Sequence, residues 1–127
     1  MNIASILVVD DDDAVRMALT DVVELKSQYR TDQAATGQEA LDKLGKKSFD
    51  VVLLDLTLPD IDGMDLLCRL KESRYLAEVI ILTGLTSLEK AEEAVAKGAF
   101  AYLVKPSSPQ ILMATIEKAL QKRGTLS

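Results

Sequence analysis

Ile6-Leu7-Val8-Val9-Asp10-Asp11-Asp12-Asp13 places four apolar residues directly before four aspartates. A run apolar at every position has no wet face, so as a strand it must be covered on both sides, the situation of strands in parallel sheets flanked by helices. The pattern returns in Val51-Val52-Leu53-Leu54-Asp55 and in Val79-Ile80-Ile81-Leu82-Thr83. Working outward, strands are predicted at Ile3 to Asp10, Tyr29 to Ala34, Val51 to Leu54, Val79 to Leu82 and Ala101 to Val104. Between and after them run segments of helical period. The first helix is predicted over Asp13 to Leu25, with Val15, Ala18, Leu19, Val22 and Leu25 as its inward stripe. The others are Gln38 to Leu44, Met64 to about Ser73, Leu88 to Lys97 with Leu88, Ala91, Ala94 and Val95 inward, and Pro109 to Arg123 with Leu112, Ile116, Ala119 and Leu120 inward. Gly98 and Gly124 are placed to cap the last two, and Pro109 suits a first turn. Five strand–helix repeats make an α/β protein with a doubly wound parallel sheet.

The chain has 127 residues, 48% of them hydrophobic and 28% charged, enough for one domain with a sizeable core. Area scaling gives roughly 6,600 Å² exposed after folding. Residues 1–123 are expected to form the domain and 124–127 a short tail or the start of a linker; a complete small protein and a piece of a longer one are both compatible. Histidine is absent and Cys68 is the one cysteine. That excludes histidine-based catalysis, a histidine zinc site and an internal disulfide together, and leaves Cys68 as a helix residue near the core. Twenty acidic against fifteen basic residues give a net charge of -5, the wrong sign for direct nucleic-acid binding. There is no basic targeting start, and no apolar stretch approaches membrane-spanning length, so no membrane association and a cytoplasmic location are expected.

In an open parallel sheet the strands end on one edge, and ligands bind in the crevice beyond their carboxyl ends. The first strand ends in Asp10 and Asp11, the third in Asp55, the fourth in Thr83 and the fifth in Lys105. Helix capping accounts for one or two of the four leading aspartates. Two carboxylates about 4.5 Å apart in an effective dielectric of about 20 repel by roughly 3 to 4 kcal/mol, and Asp55 adds to that, so something positive belongs among them. Three carboxylates and one lysine carry a charge of -2, and an all-oxygen donor set suits a hard dication, Mg²⁺ foremost with Mn²⁺ as a substitute. Beside a metal and a cation, Asp55 could act as a nucleophile toward phosphorus. Thr83 reads either as a helix-entry hydroxyl or as a donor to a phosphoryl oxygen, and Lys105 as the cation that answers the acids.

These residues resemble the receiver domains of two-component response regulators, whose single-domain chemotaxis members have this length. The likeness covers nearly the whole chain. It rests on Ile6-Leu7-Val8-Val9-Asp10-Asp11-Asp12, Asp55-Leu56-Thr57-Leu58-Pro59-Asp60-Ile61-Asp62-Gly63, Leu82-Thr83-Gly84 and Gly98-Ala99-Phe100-Ala101-Tyr102-Leu103-Val104-Lys105-Pro106. The resemblance implies a flavodoxin-like sheet in the order 2-1-3-4-5. It implies Asp55 as phospho-acceptor, Mg²⁺ ligated by Asp11, Asp55 and the Thr57 carbonyl, a metal-bound water held by Asp10, and Lys105 paired with the phosphoryl group. Pro106 and Gly84 support the surrounding loops, and the Lys105-Pro106 bond is expected to be cis, aiming the lysine inward. Phosphorylation adds about -1.5 to -2 charge at Asp55, on which Thr83 and Lys105 close. The resemblance further implies that Tyr102 then rotates inward and changes the face made by the fourth helix, fifth strand and fifth helix, where a downstream protein or output domain is expected to dock.

The sequence departs from the family pattern at three places. Gly84 stands where alanine is usual, which leaves access open and loosens the loop. Leu85 is apolar where some relatives orient the hydrolytic water, so slow self-dephosphorylation is expected. Ser107 replaces an apolar residue, which implies different packing at the start of the fifth helix. A haloacid-dehalogenase-like phosphatase needs a second aspartate two residues after Asp55, where Thr57 stands. A flavodoxin phosphate loop is opposed by the sign of the four aspartates. A degenerate receiver acting as a docking module is the second reading, although no acid, hydroxyl or lysine is missing. Without histidine the chain needs an outside phosphodonor: a histidine kinase, a histidine phosphotransfer protein or a small acyl phosphate. It is not expected to be an enzyme beyond its own phosphorylation and dephosphorylation. It is expected to be a monomer or a phosphorylation-dependent dimer.

Overall fold

The computed structural model describes residues 3–72 and 76–124. Five strands and five helices alternate: β1 (Ser5–Val9), α1 (Asp13–Lys26), β2 (Arg30–Ala34), α2 (Gly37–Lys46), β3 (Val51–Leu54), α3 (Gly63–Glu72), β4 (Glu78–Thr83), α4 (Leu88–Ala96), β5 (Ala101–Val104) and α5 (Pro109–Arg123). The strands form one parallel sheet in the order β2-β1-β3-β4-β5. The expected end of the third helix at Ser73, and the tail beyond Gly124, lie outside the described residues.

Alternate residues of the continuous apolar strands feed two separate cores, as the two-unit repeat of a strand requires. Ile6, Val8, Val51, Leu53, Ile80 and Leu82 pack against Val23 of α1 and Leu112, Ile116, Ala119 and Leu120 of α5. Leu7, Val9, Val52, Leu54, Val79 and Ile81 pack against α2, α3 and Ala94 of α4. The accessible surface is 6891 Å², close to the value expected for this mass.

Two predicted stripes need correction. In α1 the buried residues are Thr20 and Val23, while Ala18 is exposed and Leu25 is 84% exposed. The helix is rotated so that Thr20 faces inward, which is tolerable because its hydroxyl donates to the Arg16 carbonyl at 2.8 Å. In α4 only Ala94 is buried, whereas Leu88 and Val95 are 72% and 54% exposed. Apolar periodicity reports which side of a helix is apolar, not whether a neighbour covers it.

The caps are as predicted. Gly98 has a left-handed φ of 106°, and the Ala99 N–H reaches back to the Ala94 carbonyl at 3.0 Å to finish α4. Ser108 caps α5 ahead of Pro109, and Gly124 (φ 82°) ends it. Ser107 therefore lies just outside that cap.

Three of the four ladders continue one residue past their strands. The Asp10 N–H donates to the Ala34 carbonyl at 3.1 Å, Asp55 N–H to the Val9 carbonyl at 3.0 Å, and Lys105 N–H to the Thr83 carbonyl at 2.8 Å. Sheet register alone thus holds the backbones of Asp10, Asp55 and Lys105 on one edge.

Candidate functional site

At that edge, Asp10 is 1% and Asp55 4% exposed, Thr83 is fully buried, and Asp11 reaches solvent. Single carboxylate oxygens of Asp10, Asp11 and Asp55 all lie within 4.8 Å of one another. Lys105 spans the two buried acids: its Nζ is 2.7 Å from Asp55 Oδ2 and is also hydrogen-bonded to Asp10 Oδ2. The lysine is thus the cation that the charge arithmetic requires. The Lys105-Pro106 peptide is cis.

The other leading aspartates are occupied elsewhere. Asp12 is the N-cap of α1, accepting from the Val15 N–H at 3.1 Å, and Asp13 pairs with Arg16 at 2.7 Å. Capping and the first helical turn therefore consume two of the four, and Asp10 and Asp11 remain for the crevice.

Each buried carboxylate is oriented by short-range bonds. Asp10 Oδ1 accepts from the Asp12 N–H at 2.9 Å. Asp55 Oδ1 accepts from both the N–H and the hydroxyl of Thr57 at 3.0 Å. Burial pushes the Asp55 carboxyl upward, but hydrogen bonds from Lys105, the Thr57 N–H and Thr83 hold it below the ordinary carboxylate value. Burial likewise disfavours the Lys105 ammonium, yet Asp10 and Asp55 together raise it above the usual lysine value. Asp55 and Lys105 are therefore both held in their charged forms, beside a hydroxyl at the back wall.

The oxygen-only donor set fits a hard dication, which would find two buried carboxylates with fixed orientation and a third open to water. Gly84 is exposed, and a Cβ there would meet nothing within 4 Å, so the backbone does not demand glycine at this position. Leu85 sits at the mouth, 36% exposed, its N–H 3.4 Å from the Thr83 hydroxyl. Its carbonyl accepts from the Tyr102 hydroxyl at 2.9 Å, so β5 is tied to the loop after β4.

Two contributors escaped the sequence. Arg16, whose side chain is 13% exposed, donates to the Asp10 backbone carbonyl at 2.8 Å and to Gln33 Oε1 at 3.0 Å, bracing the acidic loop. Its spacing from Asp13 is a sign of an ion pair but not of that second role. Asp60 lies outside the acidic cluster and binds the N-terminus of α2, a contact across 23 residues that no local pattern announces.

A family profile described as "Response regulator receiver domain" matches residues 6–117. The chain belongs to the response regulator receiver family. This receiver is 36% identical over 115 residues to the sporulation initiation phosphotransferase F of Bacillus subtilis, covering 91% of this chain and 92% of that protein. Other curated relatives are longer, and the chain spans between 20% and 48% of their length. Among solved structures it resembles a CheY-like receiver domain protein from Methanospirillum hungatei JF-1, with a TM-score of 0.90, 33% identity and 98% of both chains covered. It also resembles the BeF3-activated DrrB receiver domain, with a TM-score of 0.85, 32% identity, 94% of this chain covered and 99% of that one. The receiver is a phospho-accepting signalling domain of the two-component kind, and the docking-only alternative is not favoured. Receiver domains are signalling modules, generally not classed as enzymes. No helix among the described residues is long and apolar enough to cross a membrane.

Proposed function

We propose that Asp55 is the phospho-acceptor, that Asp10, Asp11, Asp55 and the Thr57 carbonyl hold Mg²⁺, or Mn²⁺ in its place, and that residues 1–123 make up the receiver. The observation that carries this reading is the Lys105 ammonium lying between Asp10 and Asp55 at the edge of the sheet. A dication held by these residues would supply positive charge toward an incoming phosphoryl group. Asp55, kept ionised, forms a P–O bond through a carboxylate oxygen as the P–N bond of a donor phosphohistidine breaks, and the leaving imidazole recovers a proton from solvent. The donor is a histidine kinase or a histidine phosphotransfer protein, since this chain has no histidine. A small acyl phosphate serves in the test tube.

The new phosphoryl charge competes for Lys105, which moves from the two carboxylates toward it, and Thr83 donates its hydroxyl. Movement of the loop after β4 breaks the Tyr102-to-Leu85 bond, and Tyr102 turns inward. This is a shift between two packings, biased by as much as the phosphoryl group prefers one of them. The readout is the face of α4, β5 and α5, where Leu88, Val95, Val104 and Ile111 are all at least 39% exposed. A downstream protein or output domain, or a second phosphorylated receiver, binds there, and the location is the cytoplasm. Gly84 and Pro106 shape the loops around the site.

Calorimetric titration with Mg²⁺ tests the metal centre. Binding by the native receiver that falls on the order of tenfold or more in Asp11→Asn is expected, by analogy with the loss of one charged ligand. Equal affinity in both proteins contradicts the assignment.

A further inference from the structure

We propose that Asp60 is a positioning residue for the phosphoryl-accepting site, acting by fastening the β3–α3 loop to the start of α2. This rests on the receiver reading and on Asp55 as acceptor. Asp60 Oδ1 accepts from the Gly37 N–H at 2.8 Å, and Oδ2 accepts from the Gln38 N–H at 2.9 Å. α2 already has its own cap, Thr36, whose hydroxyl oxygen takes the Glu39 N–H at 3.0 Å. A local cap serves the helix alone, whereas Asp60 joins it to a loop 23 residues away.

The join is tight. Beside Asp60, Ile61 closes over Gly37 so nearly that a Cβ on the glycine would stand 2.9 Å from Ile61 Cδ1. The base of the loop is also closed, the Gly63 N–H donating to the Leu56 carbonyl at 3.1 Å. Held at base and tip, the loop has little freedom to slide. What it carries is Thr57, whose N–H and hydroxyl both set the direction of Asp55 Oδ1. Freedom at Asp60 is therefore transmitted across three residues to Thr57, and through its two hydrogen bonds to the carboxylate that takes phosphorus. Outer groups that orient ligands change metal affinity without touching the ion.

The test compares the native chain with Asp60→Ala and with Asp60→Asn, which keeps one acceptor oxygen. Amide hydrogen exchange is followed at Gly37, Gln38 and Thr57, and Mg²⁺ affinity is measured by calorimetry. In Asp60→Ala, faster exchange at all three amides and Mg²⁺ binding weakened by about tenfold are expected, with Asp60→Asn intermediate. Phosphorylation by acetyl phosphate should slow at limiting Mg²⁺ and recover at saturating Mg²⁺. Faster exchange confined to Gly37 and Gln38, with native Mg²⁺ affinity, reduces Asp60 to a helix cap and overturns the proposal. If the alanine variant does not fold, the asparagine variant decides by the same two readouts. A native chain that takes up no Mg²⁺ overturns the proposed metal site on which this inference rests, a result distinct from equal uptake by native chain and variants.

Discussion

The Lys105 ammonium offsets Asp10 and Asp55, so Lys105→Ala leaves two buried carboxylates facing each other. Mg²⁺ should then raise the unfolding temperature of Lys105→Ala by more than that of the native chain, as read by thermal melts with and without the ion. An equal rise argues against a shared site. Leu85 offers no polar group to a hydrolytic water at the mouth of the crevice. Leu85→Gln is therefore expected to shorten the phosphoryl lifetime several-fold, about 1 kcal/mol for a new hydrogen bond in the transition state. A longer lifetime in that variant contradicts it. The acids, hydroxyl and lysine were legible because each terminates an apolar strand, and strand ends share an edge whatever their separation in sequence. Arg16 and Asp60 were not, because their partners are backbone groups, which every residue carries and which leave no mark in the amino-acid pattern.

Two joints between elements are testable. A Cβ on Gly63 would come within 2.3 Å of Leu56 Cα and 2.5 Å of the Leu56 carbonyl oxygen, both backbone atoms. Gly63→Ala must move the β3–α3 loop off the strand that bears Asp55, and a loss of about 3 kcal/mol or more in urea unfolding is expected. On the other flank, Asp32 of β2 pairs with Lys43 and Lys47 around α2. Burial pushes the Asp32 carboxyl up, but hydrogen bonds from Lys43 and the Gln33 N–H bring it below its ordinary value. A carboxylate depressed in the folded state contributes stability above the unfolded value of about 3.9, and that contribution is lost as pH falls through the folded value. Asp32→Asn should accordingly be less stable than the native chain at neutral pH, with the difference closing in acid; a constant difference from pH 7 to 3 refutes the pairing. Element existence was readable from periodicity, with β3, β5 and α5 at their predicted bounds and the other described ends within two residues. The inward faces of α1 and α4 were not, because Thr20 is buried through a bond to its own helix and Leu88 and Val95 face away from the sheet.

At the scale of the molecule, the sheet separates two cores that share strands but not side chains. Ile80→Ala in one and Ile81→Ala in the other each remove a fully buried side chain, and each should cost roughly 2–5 kcal/mol. Near-additive losses in the double variant are not expected, because the two residues are neighbours on one strand. The same sheet delivers distant residues to a single edge, and the signalling role depends on that edge receiving phosphorus at one carboxylate. Intact-mass measurement after incubation with acetyl phosphate, with and without Mg²⁺, on the native chain and on Asp55→Asn, tests this most directly. One added phosphoryl group on the native chain, only with Mg²⁺ and absent from Asp55→Asn, is the expected result. No adduct, or an equal adduct on Asp55→Asn, contradicts it.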